Sequence, residues 1–110
     1  MSEVVYQWHP DVVSDFRTLS QDLRAAYLEQ IEAIKLDPKL GEHLDRRAST
    51  GDLSAYRKVK FGRDTPRGPS HRIVYQLLPD SYTPSAFRVV AVRSRDDVYD
   101  IASQRLGSSR

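Results

Sequence analysis

The fold is decided by the stretch AYRKVKF at residues 55–61, in which charged and apolar side chains alternate. A period of two is typical of a β-strand, because successive side chains point to opposite faces of a sheet. Residues 72–78 and 87–92 have the length and composition of two more strands. The segments between the three strands, 62–70 and 79–86, are rich in Gly, Pro, Ser or Asp and predict loops. Both loops are too short for a crossover helix, so we expect neighbouring strands to run antiparallel.

The residues ahead of these strands predict one more strand and a helical hairpin. Residues 4–8 have the β-branched and aromatic content of a strand, and Pro10 suits the first turn of a helix, where its missing N–H costs nothing. A second helix follows Ser20 as N-cap and ends before Pro38, since the residue before a proline avoids helical angles. Apolar residues recur at helical spacing through both helices, namely Val12, Val13, Phe16, Leu19, Leu23, Tyr27, Ile31 and Ile34.

The last segment, residues 96–106, predicts a short C-terminal helix, whereas residues 39–54 are polar and irregular. The element order β-α-α-β-β-β-α predicts an α+β fold with a three- to four-stranded, mainly antiparallel sheet. A chain of 110 residues is expected to form one domain, here residues 1–110.

Composition excludes several classes of protein and site. The chain has no cysteine, which excludes a disulfide scaffold, a Cys-ligated metal and a thiol nucleophile and fits a reducing compartment. The longest apolar run, residues 89–92, is too short for a signal peptide or a membrane span, so we expect a cytoplasmic protein. The three histidines are too far apart in sequence to favour a His metal site, and the sequence has no phosphate-binding loop, dinucleotide fingerprint or nucleophile elbow.

Charge is distributed unevenly along the chain, although the net charge is only +2. Residues 1–54 contain ten acids and six bases, whereas residues 55–110 contain eleven bases and five acids. Such asymmetry is typical of a face that binds a polyanion. A basic surface that is merely solvated explains it equally well.

The cations of the second half fall on the predicted sheet. If Val59 and Phe61 point toward the helices, Lys58 and Lys60 emerge together on the open face. Arg72 begins the second predicted strand, and Arg93 and Arg95 lie at the end of the third. Tyr99 lies one helical turn after Arg95. Neighbouring antiparallel strands can bring these positions onto one concave patch. Lysines on the solvent-exposed face of a sheet can also contribute to solubility alone.

Three fragments in this order resemble the RelE branch of the RelE/ParE toxin superfamily: DLSAYRKVKF at 52–61, HRIVY at 71–75 and VAVRSRDDVY at 90–99. The helical hairpin resembles the same family. RelE-like toxins are small bacterial proteins that cleave mRNA in the ribosomal A site and are silenced by a cognate antitoxin. The resemblance therefore implies the toxin of a type II toxin–antitoxin system, a ribosome-dependent endoribonuclease that needs no metal or other cofactor.

The family's catalytic set matches this chain residue by residue. It comprises a Lys-x-Lys pair on a strand, an arginine before the next strand, an arginine after the last strand and a tyrosine six residues further on. These positions are Lys58, Lys60, Arg72, Arg93 and Tyr99. We expect Arg57, Arg95 and His71 to contact RNA, although His71 can instead be a solvent-facing residue at a strand start. The predicted loop 62–70 looks longer than is usual in RelE.

The chemistry of RNA cleavage indicates roles for the residues of this catalytic set. A base must take the 2′-OH proton, cations must stabilise the phosphate, and an acid must protonate the 5′-oxygen. Lysine is a poor base at neutral pH unless neighbouring cations disfavour its charged form. We expect Lys60 or Lys58 to be the base, Arg72 and Arg93 to hold the phosphate, and Tyr99 to stack on a base rather than only pack in the core.

The implied partners are an antitoxin, the ribosome and mRNA, but no membrane. The antitoxin would cover the basic face or displace the C-terminal helix, and its complex with the toxin can bind operator DNA through the antitoxin. Two alternatives stay open. One is a ParE-like inhibitor of DNA gyrase with the same fold, and the other is a non-catalytic module that binds RNA or the ribosome.

Overall fold

The computed structural model describes residues 4–44, 55–80 and 82–107. Ordered along the chain, its elements are β1 (Val5–Trp8), α1 (Val12–Thr18), α2 (Gln21–Leu36), β2 (Glu42–His43), β3 (Tyr56–Thr65), β4 (Gly68–Leu78), β5 (Ala86–Ser94) and α3 (Val98–Gly107). The predicted α+β fold, the helical hairpin and the C-terminal helix are confirmed. Within these segments, no helix combines the length and the apolar character needed to cross a membrane.

The five strands form one mixed sheet in the order β1-β5-β4-β3-β2. Strand β1 runs parallel to β5, and every other neighbouring pair is antiparallel. The prediction of three to four strands missed β2, which has only two residues and lies in the segment that we expected to be irregular. A strand this short has no periodicity to detect, and its pairing with β3 at Lys58 and Arg57 defines it.

The predicted loop at residues 62–70 is wrong, because strands β3 and β4 continue through most of it. The chain reverses at Pro66 and Arg67, between the paired residues Thr65 and Gly68. Gly62 has a φ of +100°, in the left-handed region, where the register of β3 against β4 shifts. Glycine and proline, which we interpreted as loop signals, here form a bulge and a tight turn inside a long hairpin. The expected long loop is therefore absent from this part of the chain.

Helices cover both faces of the sheet. Helices α1 and α2 pack on one face, where Tyr27, Ile31 and Ile34 contact the apolar residues of β3, β4 and β5. Helix α3 packs on the other face through Val98 and Ala102. The face that we expected to be open is therefore partly covered. This explains the uninterrupted run at residues 73–75, which is 0% exposed, because a strand between two helical layers is apolar on both sides.

Tyr75 connects the sheet to the segment that follows α2. Its hydroxyl accepts a hydrogen bond from the Gly41 N–H at 2.9 Å and donates one to the Pro38 carbonyl at 2.9 Å. A Cβ on residue 41 would lie 2.7 Å from the Tyr75 hydroxyl and 2.8 Å from the Lys58 carbonyl, so only glycine fits. This close approach places β2 beside β3 at Lys58.

Candidate functional site

Three cations form a row across the sheet. Lys60 on β3 pairs with Arg72 on β4, which pairs in turn with Arg93 on β5. Lys58 is two residues before Lys60 and pairs with Val74. Because side chains alternate along each strand, all four cations leave the sheet on the face that α3 partly covers. The structure therefore brings these four predicted cations to one face.

Tyr99 joins this group from the first turn of α3. The Lys58 Nζ lies 5.9 Å from the centre of the Tyr99 ring, within the range of a cation–π contact. Tyr99 is half-buried and packs at the margin of the apolar core beneath α3. Its ring therefore packs against the core and also borders the cationic row. Lys60 is exposed, so its ammonium is accessible to a ligand.

Arg72 is the most enclosed cation of the row, with only 7% of its surface exposed. Its Nη1 donates to the carbonyls of Pro69 at 2.6 Å and His71 at 2.9 Å. Both acceptors belong to the start of β4, the strand that carries Arg72 itself. The guanidinium is therefore held in one orientation by the backbone, and its charge has no carboxylate partner among the described residues.

Arg93 is held by two carboxylates. Its Nε and Nη2 donate to Asp97 Oδ2 at 2.9 and 2.8 Å, and its Nη1 donates to Asp15 Oδ1 at 3.2 Å. The hydrogen bonds with Asp97 are the main cause that raises the pKa of Arg93, and Asp15 adds to the effect. Arg93 is therefore a permanently charged group with a defined orientation at the end of the row.

Asp15 is the residue that the sequence analysis missed. It lies on α1, is 1% exposed, and accepts hydrogen bonds from the Val92 N–H and from Arg93 and Arg105. A signal for it was present in the sequence. Asp15 falls three residues after Val12 and four before Leu19, on the apolar stripe of the predicted helix, where an acid needs a partner.

Two of the three predicted RNA contacts lie on the opposite face of the sheet from the lysines. Arg57 donates to the carbonyls of Lys39 and Gly41 and contacts the His43 ring. His71 packs beside the Phe61 ring, and its Nδ1 is 2.8 Å from the Ser70 hydroxyl.

His71 nevertheless approaches the cationic row at the end of the sheet. A polar pocket there is lined by Thr18, Leu19, His71, Val92, Arg93, Ser94 and Asp97. Burial lowers the pKa of His71, and the cations Arg63 and Arg72 lower it further. The ring is therefore expected to be neutral at pH 7.

Arg95, the third predicted contact, is tied to the β3–β4 hairpin. Its Nη1 donates to the Thr65 hydroxyl at 2.7 Å and to the Gly68 carbonyl at 3.2 Å. The side chain therefore fixes the turn of this hairpin against the end of β5.

No protein-family model and no curated protein matches this chain. Solved structures do match. An arginine-to-alanine double mutant of the E. coli toxin RelE in the free state superposes with a TM-score of 0.64 at 17% identity, over 96% of this chain and 99% of that chain. The RelBE2 toxin–antitoxin complex from Mycobacterium tuberculosis matches with a TM-score of 0.62 at 17% identity, over 84% of this chain and 99% of that chain.

A second structure of the E. coli RelE double mutant contains a bound peptide of the antitoxin RelBc. It matches with a TM-score of 0.62 at 15% identity, over 98% of this chain and 95% of that chain. The similarity to each of the two E. coli structures extends over nearly the full length of both chains. The chain therefore has the fold of the RelE toxins.

Proposed function

We propose that this chain is the toxin of a type II toxin–antitoxin system and that it cleaves mRNA in the ribosomal A site. The observation that supports this proposal is the row Lys60–Arg72–Arg93, flanked by Lys58 and Tyr99, on one face of a RelE fold. In this reaction a base takes the proton of a 2′-OH, the 2′-oxygen attacks the adjacent phosphate, and the P–O5′ bond breaks as the 5′-oxygen takes up a proton, which gives a 2′,3′-cyclic phosphate and a 5′-hydroxyl.

The two arginines suit the phosphate because their orientations are fixed. Backbone carbonyls hold Arg72, and carboxylates hold Arg93. A preorganised cation stabilises the charge that develops on the phosphate without reorganising during the reaction. Arg72 and Arg93 are neighbours in the row, so a phosphate between β4 and β5 can contact both. We assign both residues to stabilisation of the transition state.

The lysines are assigned to proton transfer, with Lys58 or Lys60 as the base for the 2′-OH. Lys60 is exposed and pairs with Arg72, so it would lie beside a phosphate that the arginines hold. Lys58 lies next to the Tyr99 ring, where the base of the cleaved nucleotide would stack. Both lysines therefore lie on β3, at the end of the row opposite Arg93.

The ribosome supplies the alignment that an open sheet surface lacks. Holding the reacting groups in line can lower the activation free energy by roughly 7–11 kcal/mol in favourable cases. Free RNA that only the row of cations holds gains little of this. We therefore propose that the chain acts slowly on free RNA and rapidly on mRNA that the A site orients.

An antitoxin is the proposed protein partner. Two similar structures are a toxin–antitoxin complex and RelE with an antitoxin peptide. The cationic row is a natural target for an acidic segment that folds on binding. Such a segment would neutralise the row and block access of RNA.

Inducible expression in bacteria, followed by mapping of mRNA 5′ ends, tests the proposal. The chain should arrest translation and generate new 5′ ends within codons, and the Lys58→Met/Lys60→Met variant should generate none. Lys39→Met removes an exposed lysine outside the row and should behave as the parent chain does. Arrest with filamentation and broken DNA would instead favour a gyrase inhibitor. Co-sedimentation with ribosomes without any cut RNA would favour a binding module.

A further inference from the structure

Asp15 is a buried carboxylate at the point where α1, β5 and α3 meet. Its Oδ2 accepts hydrogen bonds from the Val92 N–H at 3.0 Å and from Arg105 Nη1 at 2.6 Å. Its Oδ1 accepts from Arg105 Nη2 at 2.8 Å and from Arg93 Nη1 at 3.2 Å. Four hydrogen bonds therefore converge on one side chain that is 1% exposed.

This cluster replaces a missing strand at the edge of the sheet. Strand β1 pairs only with residues 86–89 of β5, so the rest of that edge has no strand beside it among the described residues. Asp15 accepts the Val92 N–H there, and Arg105 donates to the Val90 carbonyl at 2.9 Å. An edge strand whose backbone groups are buried needs such partners. The side chains of Asp15 and Arg105 thus provide hydrogen-bond partners for two backbone groups of this edge, and Arg105 links α3 to it.

The same carboxylate limits how Arg93 can move. Asp97 binds Nε and Nη2 of Arg93, and Asp15 binds Nη1, so three of the five N–H groups of the guanidinium are engaged. The two others, one on each Nη, have no acceptor among the described residues. Arg93 therefore has a fixed plane and retains two donors for an oxyanion.

Three carboxylates, those of Asp11, Asp15 and Asp97, face the guanidinium groups of Arg93 and Arg105. Asp15 is the carboxylate that contacts both guanidinium groups. Its removal leaves Arg93 with Asp97 alone and Arg105 with Asp11 at 3.8 Å, and it removes the contact that links α1 to both of the other elements. The consequence extends to Tyr99, because α3 carries both Arg105 and Tyr99.

We propose that Asp15 is a positioning residue for RNA cleavage, which fixes the Arg93 guanidinium directly and the helix of Tyr99 through Arg105. This inference rests on the proposed function. A purely structural carboxylate would stabilise the fold without controlling the orientation of Arg93. The two roles differ in what Asp15→Asn does to Arg93 itself.

Nuclear magnetic resonance of the arginine side chains in the purified full chain separates these roles. Hydrogen bonds slow rotation about the Cζ–Nη bonds, so the two Nη1 protons of Arg93 should give separate signals that merge in Asp15→Asn, whereas Asp97 still holds Nη2. Arg72, which backbone carbonyls hold, is the internal reference and should not change. Arg93 Nη1 signals that stay separate in Asp15→Asn would overturn the proposal.

Cleavage of ribosome-bound mRNA is the second measurement. At a temperature where each variant is folded, Asp15→Asn should lower the maximal rate roughly 10- to 100-fold and leave the half-saturating ribosome concentration unchanged. Tyr27→Phe is the control for lost stability, because it removes a part-buried hydrogen bond to Tyr6 without removing any hydrogen bond of Arg93, and it should leave the rate unchanged. An equal rate in Asp15→Asn and Tyr27→Phe would contradict a positioning role.

A charge-balanced variant keeps the proposal testable if Asp15→Asn does not fold. Asp15→Asn/Arg105→Gln removes one acid and one base, and it should still merge the Arg93 signals and slow cleavage. Separate Arg93 signals in this variant would count against the proposal in the same way. If the parent chain cuts no RNA, the proposed function fails, while the Arg93 signals still decide whether Asp15 positions that side chain.

Discussion

The Lys58 ammonium lies 5.9 Å from the centre of the Tyr99 ring, so the C-terminal helix brings an aromatic face to the edge of the cationic row. This contact joins the strand that carries both lysines to the helix that partly covers the same face. It places an aromatic ring, which we propose stacks on a nucleobase, beside the groups that we assign to proton transfer.

Tyr99→Leu should slow cleavage of ribosome-bound mRNA about tenfold or more. Base–aromatic stacking contributes roughly 1–3 kcal/mol, and leucine cannot replace it. Tyr99→Phe retains the ring and should stay within about threefold of the parent chain. Single-turnover rates measure both variants. Equal losses in the two variants would assign the effect to the hydroxyl and contradict a stacking role.

Arg72→Lys should lower the cleavage rate although it conserves the charge. Nη1 of Arg72 donates to both backbone carbonyls, which leaves the N–H groups of Nε and Nη2 for a phosphate, whereas a lysine ammonium that made the same two bonds would keep only one donor. We expect a loss of roughly tenfold to a hundredfold in the maximal rate. Arg67→Lys, at the exposed turn of the hairpin, is the matched control and should have no effect. Full activity of Arg72→Lys would show that only its charge matters.

Tyr75→Phe should destabilise the fold by about 1–3 kcal/mol, because it leaves the buried Gly41 N–H without its acceptor and the Pro38 carbonyl without its donor. Urea denaturation measures this change. Tyr82→Phe alters a tyrosine that is 88% exposed and should stay within about 0.5 kcal/mol of the parent chain. The same stability for both variants would mean that the Tyr75 hydroxyl does not hold the segment after α2.

His71 should make stability depend on pH near neutrality. Burial lowers its pKa in the folded chain, so the unfolded chain, with a pKa of about 6.5, binds the proton more readily. The contribution of His71 is therefore complete above about pH 6.5 and is lost as the pH falls through the folded value.

His71→Gln should flatten the stability profile between about pH 7 and pH 5. Urea denaturation of the parent chain and the variant across that range isolates the contribution of His71 to the free energy of unfolding, because both chains keep the other two histidines. Parallel profiles would show that His71 titrates equally in the folded and unfolded chain.

Local sequence patterns predicted the strands and helices in which apolar residues recur at a regular spacing. Period two in residues 55–61 placed Lys58 and Lys60 on one face, and the stripe of Tyr27, Ile31 and Ile34 identified the buried side of α2. Strand alternation and helical spacing depend on neighbouring residues alone. These features were therefore accessible before any tertiary contact was known.

Tertiary contacts determined what the sequence did not reveal. Strand β2 exists because β3 pairs with it, and Tyr75 holds the preceding segment through Gly41. Asp15 finds its partner Arg105 ninety positions along the chain, which no local pattern encodes. The hairpin at 62–70 was misinterpreted because glycine and proline form bulges and turns within strands as readily as they form loops.

The central claim is that the cations on one face of this sheet cut mRNA that the ribosome orients. The most direct test incubates the purified chain with ribosomes that carry a defined mRNA codon in the A site, and maps the cut by primer extension. We predict a single cut within that codon, about a hundredfold or more slower without ribosomes and absent in Lys58→Met/Lys60→Met. An intact A-site codon, or the same cut made by the double variant, would contradict the account.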